Sequence, residues 1–124
     1  MVLQIRDEQN AALLDASRKS FEVRTLAYLR ANWSRQTRDV PDETLREFIR
    51  NCRSRAESYN IEREVDVVRY IEVCVALGED FDKSPDFPWA RRILHDPKRD
   101  GEMKVAQLRY WTKNVLDDIT RKGN

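Results

Sequence analysis

The apolar positions of this chain recur at helical spacing almost from end to end and nowhere in sustained alternation. From about Asp7 to Asn32, Leu14, Phe21, Leu26, Tyr28, Leu29 and Trp33 share one broad face of a helical wheel. Asp7 and Glu8 suit the positive end of that helix's dipole. Leu13, Ala16, Val23 and Ala27 lie on the opposite side. A helix with two apolar stripes touches something on both sides, so this outer stripe is a candidate second interface. Its occupant is the rest of the domain, a second copy or a partner.

A polar link, residues 34–41, ends in Val40-Pro41, and proline fits the first turn of a new helix. The second helix is predicted from about Asp42 to Tyr59, with Leu45, Phe48, Ile49, Cys52, Ala56 and Tyr59 in a narrow stripe. The third runs from about Glu62 to Leu77. Its apolar residues, among them Val67, Tyr70, Ile71 and Cys74, cover half the wheel, which predicts a central position. Its β-branched content argues for a strand, but Asp66, Arg69, Glu72 and Ala76 recur with helical spacing. Gly78 is a natural stop. Pro88 opens a short helix carrying Trp89, Ile93 and Leu94, which Asp96-Pro97 ends because the residue before proline is pushed out of the helical region. The last helix, from about Gly101 to Arg121, places Val105, Leu108, Trp111, Val115, Leu116 and Ile119 on its core face. The expected fold is an all-α bundle of four to five helices, residues 1–124 forming a single helical domain.

Composition narrows this further. Only 3 glycines and 4 prolines are present, too few for the many turns of a sandwich or barrel. A length of 124 residues is enough for one core without staples. The net charge of +1 draws the chain to neither nucleic acid nor a membrane surface. Locally the charge is uneven: residues 18–38 are basic and residues 61–82 acidic, which internal pairing between helices accounts for most simply. No apolar run reaches the length of a membrane span and the N-terminus lacks the apolar stretch of a signal peptide, so a cytoplasmic location is expected.

Catalytic chemistry finds little to stand on. His95, the lone histidine, falls at a helix end, where capping is its simplest role. No GxSxG elbow, Gly-rich phosphate loop or HExxH motif is present. Cys52 and Cys74 sit on apolar helix faces and read as a reduced, buried pair; a disulfide would need their α-carbons within about 7 Å. Asp80, Asp82, Ser84 and Asp86 have the alternation of a calcium loop, but Pro85 and Arg91 stand where that loop needs glycine and a bidentate acid. No catalytic residue, metal site or cofactor is therefore expected, and the chain is read as not an enzyme. Phe21, Tyr28 and Trp33 lie among basic residues, yet they line the core face and do not form a stacking surface.

The segment from Glu79 to Trp89 is the candidate recognition loop. It combines Glu79, Asp80, Asp82 and Asp86 with Phe81, Phe87 and Trp89, held by two prolines. Acids would speed encounter with a basic partner, and an exposed loop aromatic would anchor it. The competing expectation is that the three aromatics fold back and plug the bundle end. On the exposed reading, neutralising Asp80 and Asp82 together leaves stability nearly unchanged.

Several strings resemble a group of small uncharacterised bacterial proteins: Ile5-Arg6-Asp7-Glu8-Gln9, Tyr59-Asn60-Ile61, Glu64-Val65, Leu77-Gly78-Glu79-Asp80-Phe81-Asp82, Pro88-Trp89-Ala90 and Ile93-Leu94. The group's pattern has glycine where this chain has Asn60. Its members resemble helical accessory proteins from type VI secretion effector loci, companions of spike proteins and secreted toxins. The resemblance implies a non-enzymatic adaptor or chaperone that binds a secreted effector. An immunity protein that inhibits a cognate toxin is the alternative, and a small hydrolase or nuclease a more distant one. A protein partner is expected, with no nucleic acid and no membrane; a homodimer stays open.

Overall fold

The structure, a computed structural model, describes the backbone of residues 7–122 and the side chains of residues 20–121. Among the described residues every regular element is helical: α1 (Asp7–Asn32), α2 (Ser34–Thr37), α3 (Asp42–Ser58), α4 (Glu64–Leu77), a 3-10 turn (Phe81–Lys83), α5 (Pro88–Leu94) and α6 (Gly101–Lys122). The one helix the sequence pattern did not predict is α2, a single turn inside the polar link. No described helix is long and apolar enough to cross a membrane. Packing divides the chain into two compact units, Met1–Arg46 and Glu47–Asn124, with α3 running across the division.

In the first unit the buried positions of α1 among the described side chains are Phe21, Thr25 and Leu29, four residues apart along one line. The sequence reading placed Tyr28 on this face; it is exposed, and the buried line is narrower than the apolar stripe. Val23 (52% exposed) and Ala27 face solvent. The side chains of Leu13 and Ala16, expected on the same outer stripe, lie outside the described residues. Arg30 closes the link behind α1. Its guanidinium donates to the Thr37 carbonyl, to the Val40 carbonyl at 2.7 Å and to Asp42 at 2.6 Å, so three acceptors at a chain reversal share one rigid fork.

In the second unit α4 is the most deeply buried helix, with Val67, Tyr70, Ile71, Val73 and Cys74 enclosed. Its apolar residues cover so much of the wheel that burial on several sides is the only way to remove them from water. Ile49, Cys52 and Ala56 of α3 are buried at the spacing of one helix face. The end of α3 is set by Asn60, whose φ of 64° is left-handed. The Ile61 amide returns to the Ala56 carbonyl and the Asn60 amide to the Glu57 carbonyl, both at 3.0 Å, the pairing of a Schellman stop. Ile61 and Ala56, the residues that meet in such a stop, are both fully buried. Asparagine is the side chain after glycine that best tolerates this conformation, so Asn60 meets the backbone demand that a glycine would meet here.

The start of α6 rests on that stop. A β-carbon on Gly101 would lie 2.8 Å from the Asn60 carbonyl oxygen and 3.1 Å from the Ile61 α-carbon, so glycine is needed for close approach. Asp100 caps α6 through the Met103 amide at 2.8 Å. The buried Lys104 reaches back with its ammonium to the Tyr59 carbonyl at 2.9 Å, a cation at the negative end of α3. Arg63 and Glu102 join the N-terminal ends of α4 and α6 at 3.5 Å. From that shared start α4 extends 14 residues and α6 22, so α6 overruns by about 12 Å at the rise of an α-helix.

Candidate functional site

The loop after Gly78 is organised around one enclosed carboxylate. Asp82 lies in the 3-10 turn with its side chain removed from solvent. Arg55, on α3, donates to Asp82 at 2.8 Å and to Asp80 at 2.9 Å, both from the same Nη1. The hydroxyl of Tyr59, one helical turn after Arg55, donates to the other Asp82 oxygen. Arg55 is 26% exposed and Asp80 76%, so the cluster runs from a solvated rim to a dry floor. The sequence supplies this register simply: residues four apart on a helix share a face, so Arg55 and Tyr59 present their donors together.

Electrostatics follows from that placement. Burial, and then the hydrogen bond to Asp82, push the Tyr59 hydroxyl up to about 12. Burial works against the Arg55 charge, but the bond to Asp80 and the field of Asp82 outweigh it and raise its pKa further. Beneath them the fully buried Tyr70 hydroxyl has no hydrogen-bond partner among the described residues, and burial raises its pKa strongly. Burial, with Cys52 beside it, also holds the Cys74 thiol well above the usual range, which removes the thiolate a nucleophile or ligand needs.

The predicted recognition residues divide by burial. Phe81 and Trp89 fold into the core, Asp82 is enclosed, Phe87 and Glu79 are half-buried, and Asp80 and Asp86 are exposed. Phe81 packs on Tyr70 with ring centroids 5.4 Å apart, and this contact ties the loop to α4. Neutralising Asp82 is therefore a change in the core and not a surface one, contrary to the expectation that Asp80 and Asp82 together leave stability nearly unchanged. His95 stands at the C-terminal cap of α5, with its ring edge-on to Tyr59 at 5.6 Å. Among the described residues no group of three histidine, cysteine or acidic side chains could hold a metal ion.

Two surface features of this unit escaped the sequence reading. One is a groove of about 270 Å³ with Asp82 at its floor, lined by Lys83, Ser84, Pro85, Pro88, Arg91 and Arg92. The other is an aromatic ladder. Phe87 meets Trp89 at 5.8 Å, Trp89 stacks on Trp111 at 5.8 Å and 15°, and Trp111 meets Tyr110 edge-on at 5.9 Å. Trp89 is buried by this stack, Trp111 is part-exposed, and Tyr110 is 62% exposed. Leu116 and the 61% exposed Ile119 follow on the overrunning turns of α6. The sequence pattern assigned Trp111, Leu116 and Ile119 to a core face; Trp111 packs at its edge against Trp89, while Leu116 and Ile119 lie on turns of α6 beyond the length of α4. A face pattern says which residues line up, and only helix length relative to the neighbours says where cover ends.

Comparison with protein-family models, with curated proteins and with solved structures finds no match.

Proposed function

We propose that this chain is a non-catalytic, protein-binding helical module whose principal contact surface is the exposed face of α6. The observation that carries the reading is the stripe Trp111, Leu116 and Ile119, large apolar side chains left partly in water on one side of a well-formed helix. Covering such side chains is worth about 1.5–3 kcal/mol for each that becomes fully buried, and tyrosine and tryptophan are favoured anchors. A role without catalysis is supported by the polar cluster at Asp82. Arg55 and Tyr59 occupy both of its oxygens, so Asp82, the enclosed carboxylate, is engaged and not poised as a base for a substrate.

Within that reading the resemblance to accessory proteins of type VI secretion loci suggests a cytoplasmic adaptor or chaperone for a secreted effector. The immunity alternative has less support. A toxin inhibitor often presents acids to a basic active site, whereas here Asp82 is enclosed and Asp80 is shared with Arg55. Co-expression with each of the proteins encoded by the neighbouring genes, followed by size exclusion with light scattering, tests the proposal. A folded Trp111→Ala/Ile119→Glu variant should lose the complex that the unaltered chain forms. Retention of the complex by that variant would move the contact surface elsewhere.

A further inference from the structure

We infer that the groove between the 3-10 turn and α5 is a second binding site, selective for an acidic peptide segment of a partner protein. Its position inverts the charge expected of this loop. Of the acids in the loop only Asp82 lines the groove, and Arg55 opposes its charge. The remaining charged lining is cationic: Lys83, Arg91 and Arg92, all exposed. None of these three side chains makes a hydrogen bond or ion pair among the described residues. Asp86 is in the same loop but outside the lining, and its backbone amide is held by the Ser84 hydroxyl at 3.1 Å.

The shape selects among anions. A groove of about 270 Å³ falls just below the roughly 300–1,000 Å³ usual for small-molecule pockets. It is larger than one carboxylate or one inorganic phosphate requires. Pro85 and Pro88 give it apolar walls. Arg91 and Arg92 follow Pro88 by three and four residues on α5, so both lie on the side of the helix that Pro88 occupies. Carboxylates on the guanidiniums with a small apolar side chain between the prolines match this lining, because arginine pairs carboxylates through two parallel bonds. The floor does not compete for the ligand, since Asp82 is held by Arg55 and Tyr59. The loop is tied to α3 and α4, so little ordering entropy is lost on binding. The site uses no α6 residue and stands or falls apart from the contact surface proposed above.

Fluorescence anisotropy with a fluorescein-labelled hexapeptide of alternating glutamate and leucine tests it, with the glutamine-leucine peptide and a labelled oligothymidylate as comparators. The acidic peptide should bind and the glutamine peptide should not. Arg91→Ala/Arg92→Ala should weaken binding by about tenfold or more and flatten its salt dependence, with the melting temperature unchanged. Arg91→Lys/Arg92→Lys should fall between the two, because charge is kept and the paired bonds are lost. Absence of binding, equal binding by the alanine variant, or tighter binding of the oligothymidylate through the same arginines would each overturn the assignment.

Discussion

Arg55 and Asp82 form an ion pair of unequal partners: the Arg55 side chain keeps 26% of its surface in water while that of Asp82 keeps none. The pair is therefore costly to break from one side only. Arg55→Ala should destabilise the protein by about 3–5 kcal/mol, because it leaves a buried carboxylate with a single hydroxyl partner. Arg55→Met combined with Asp82→Leu should recover most of that loss, since the penalty comes from the unpaired charge. Asp80→Asn, at the solvated rim, should cost less than about 1 kcal/mol. Urea titrations of the four proteins check the order, and a double variant no better than Arg55→Ala would refute it.

Alkaline stability should track Tyr59. Its hydroxyl is raised from 10.0 to about 12 in the folded protein, so the neutral form is the one that folding favours. That contribution is fully present below the ordinary tyrosine pKa and is lost as pH rises through about 12. Melting temperature measured from pH 8 to pH 12 should fall more steeply above pH 10 in the parent than in Tyr59→Phe. Parallel curves would show that neither burial nor the hydrogen bond to Asp82 raises the Tyr59 hydroxyl.

Tyr70→Phe should be neutral or stabilising, by up to about 1 kcal/mol. The hydroxyl is buried with no partner among the described residues, and removing such a group relieves a desolvation cost. A loss of more than about 1 kcal/mol in chemical denaturation would mean the hydroxyl is satisfied in solution.

Gly101→Ala should destabilise by about 1–3 kcal/mol even though alanine is the better helix former. The obstacle is the Asn60 carbonyl, a backbone atom that cannot rotate away. Asn60→Gly should be nearly neutral, because both residues accept the left-handed turn. Thermal melts of the two variants check the contrast.

Val23→Glu should leave the protein folded and its melting temperature within a degree or two, because the side chain already faces water. Ile71→Asp, a charge without a partner inside α4, should abolish cooperative folding. If Val23→Glu unfolds the chain, the outer stripe of α1 packs internally.

Most of the architecture was legible because burial follows helical periodicity. Ile49, Cys52 and Ala56, and likewise Val67, Ile71 and Cys74, are enclosed as their spacing predicts. The polar framework was not legible, because it depends on groups distant in sequence. Nothing near Asp82 announces that Arg55 and Tyr59 will take its charge inside, and the loop's acids therefore read as a surface field. Lys104 likewise looks like a solvated residue until the Tyr59 carbonyl beside it is seen. The Schellman stop at Asn60 could have been read from an asparagine between two apolar runs, but its role as a seat for Gly101 could not. Trp89 and Trp111 were each recognisable as apolar, whereas their stacking depends on how α5 packs against α6, which no local pattern gives.

That stack also makes the molecule its own optical gauge. Two indoles 5.8 Å apart and 15° from parallel are close enough for their transitions to couple, so a coupled band in circular dichroism would report on the stack itself. Trp89 is shielded and Trp111 is partly in water; a binding event over α6 would shift the emission of the second while the coupled band persists. Separation of α5 from α6 would instead erase the band, so docking and local opening leave different signatures in the same unlabelled sample.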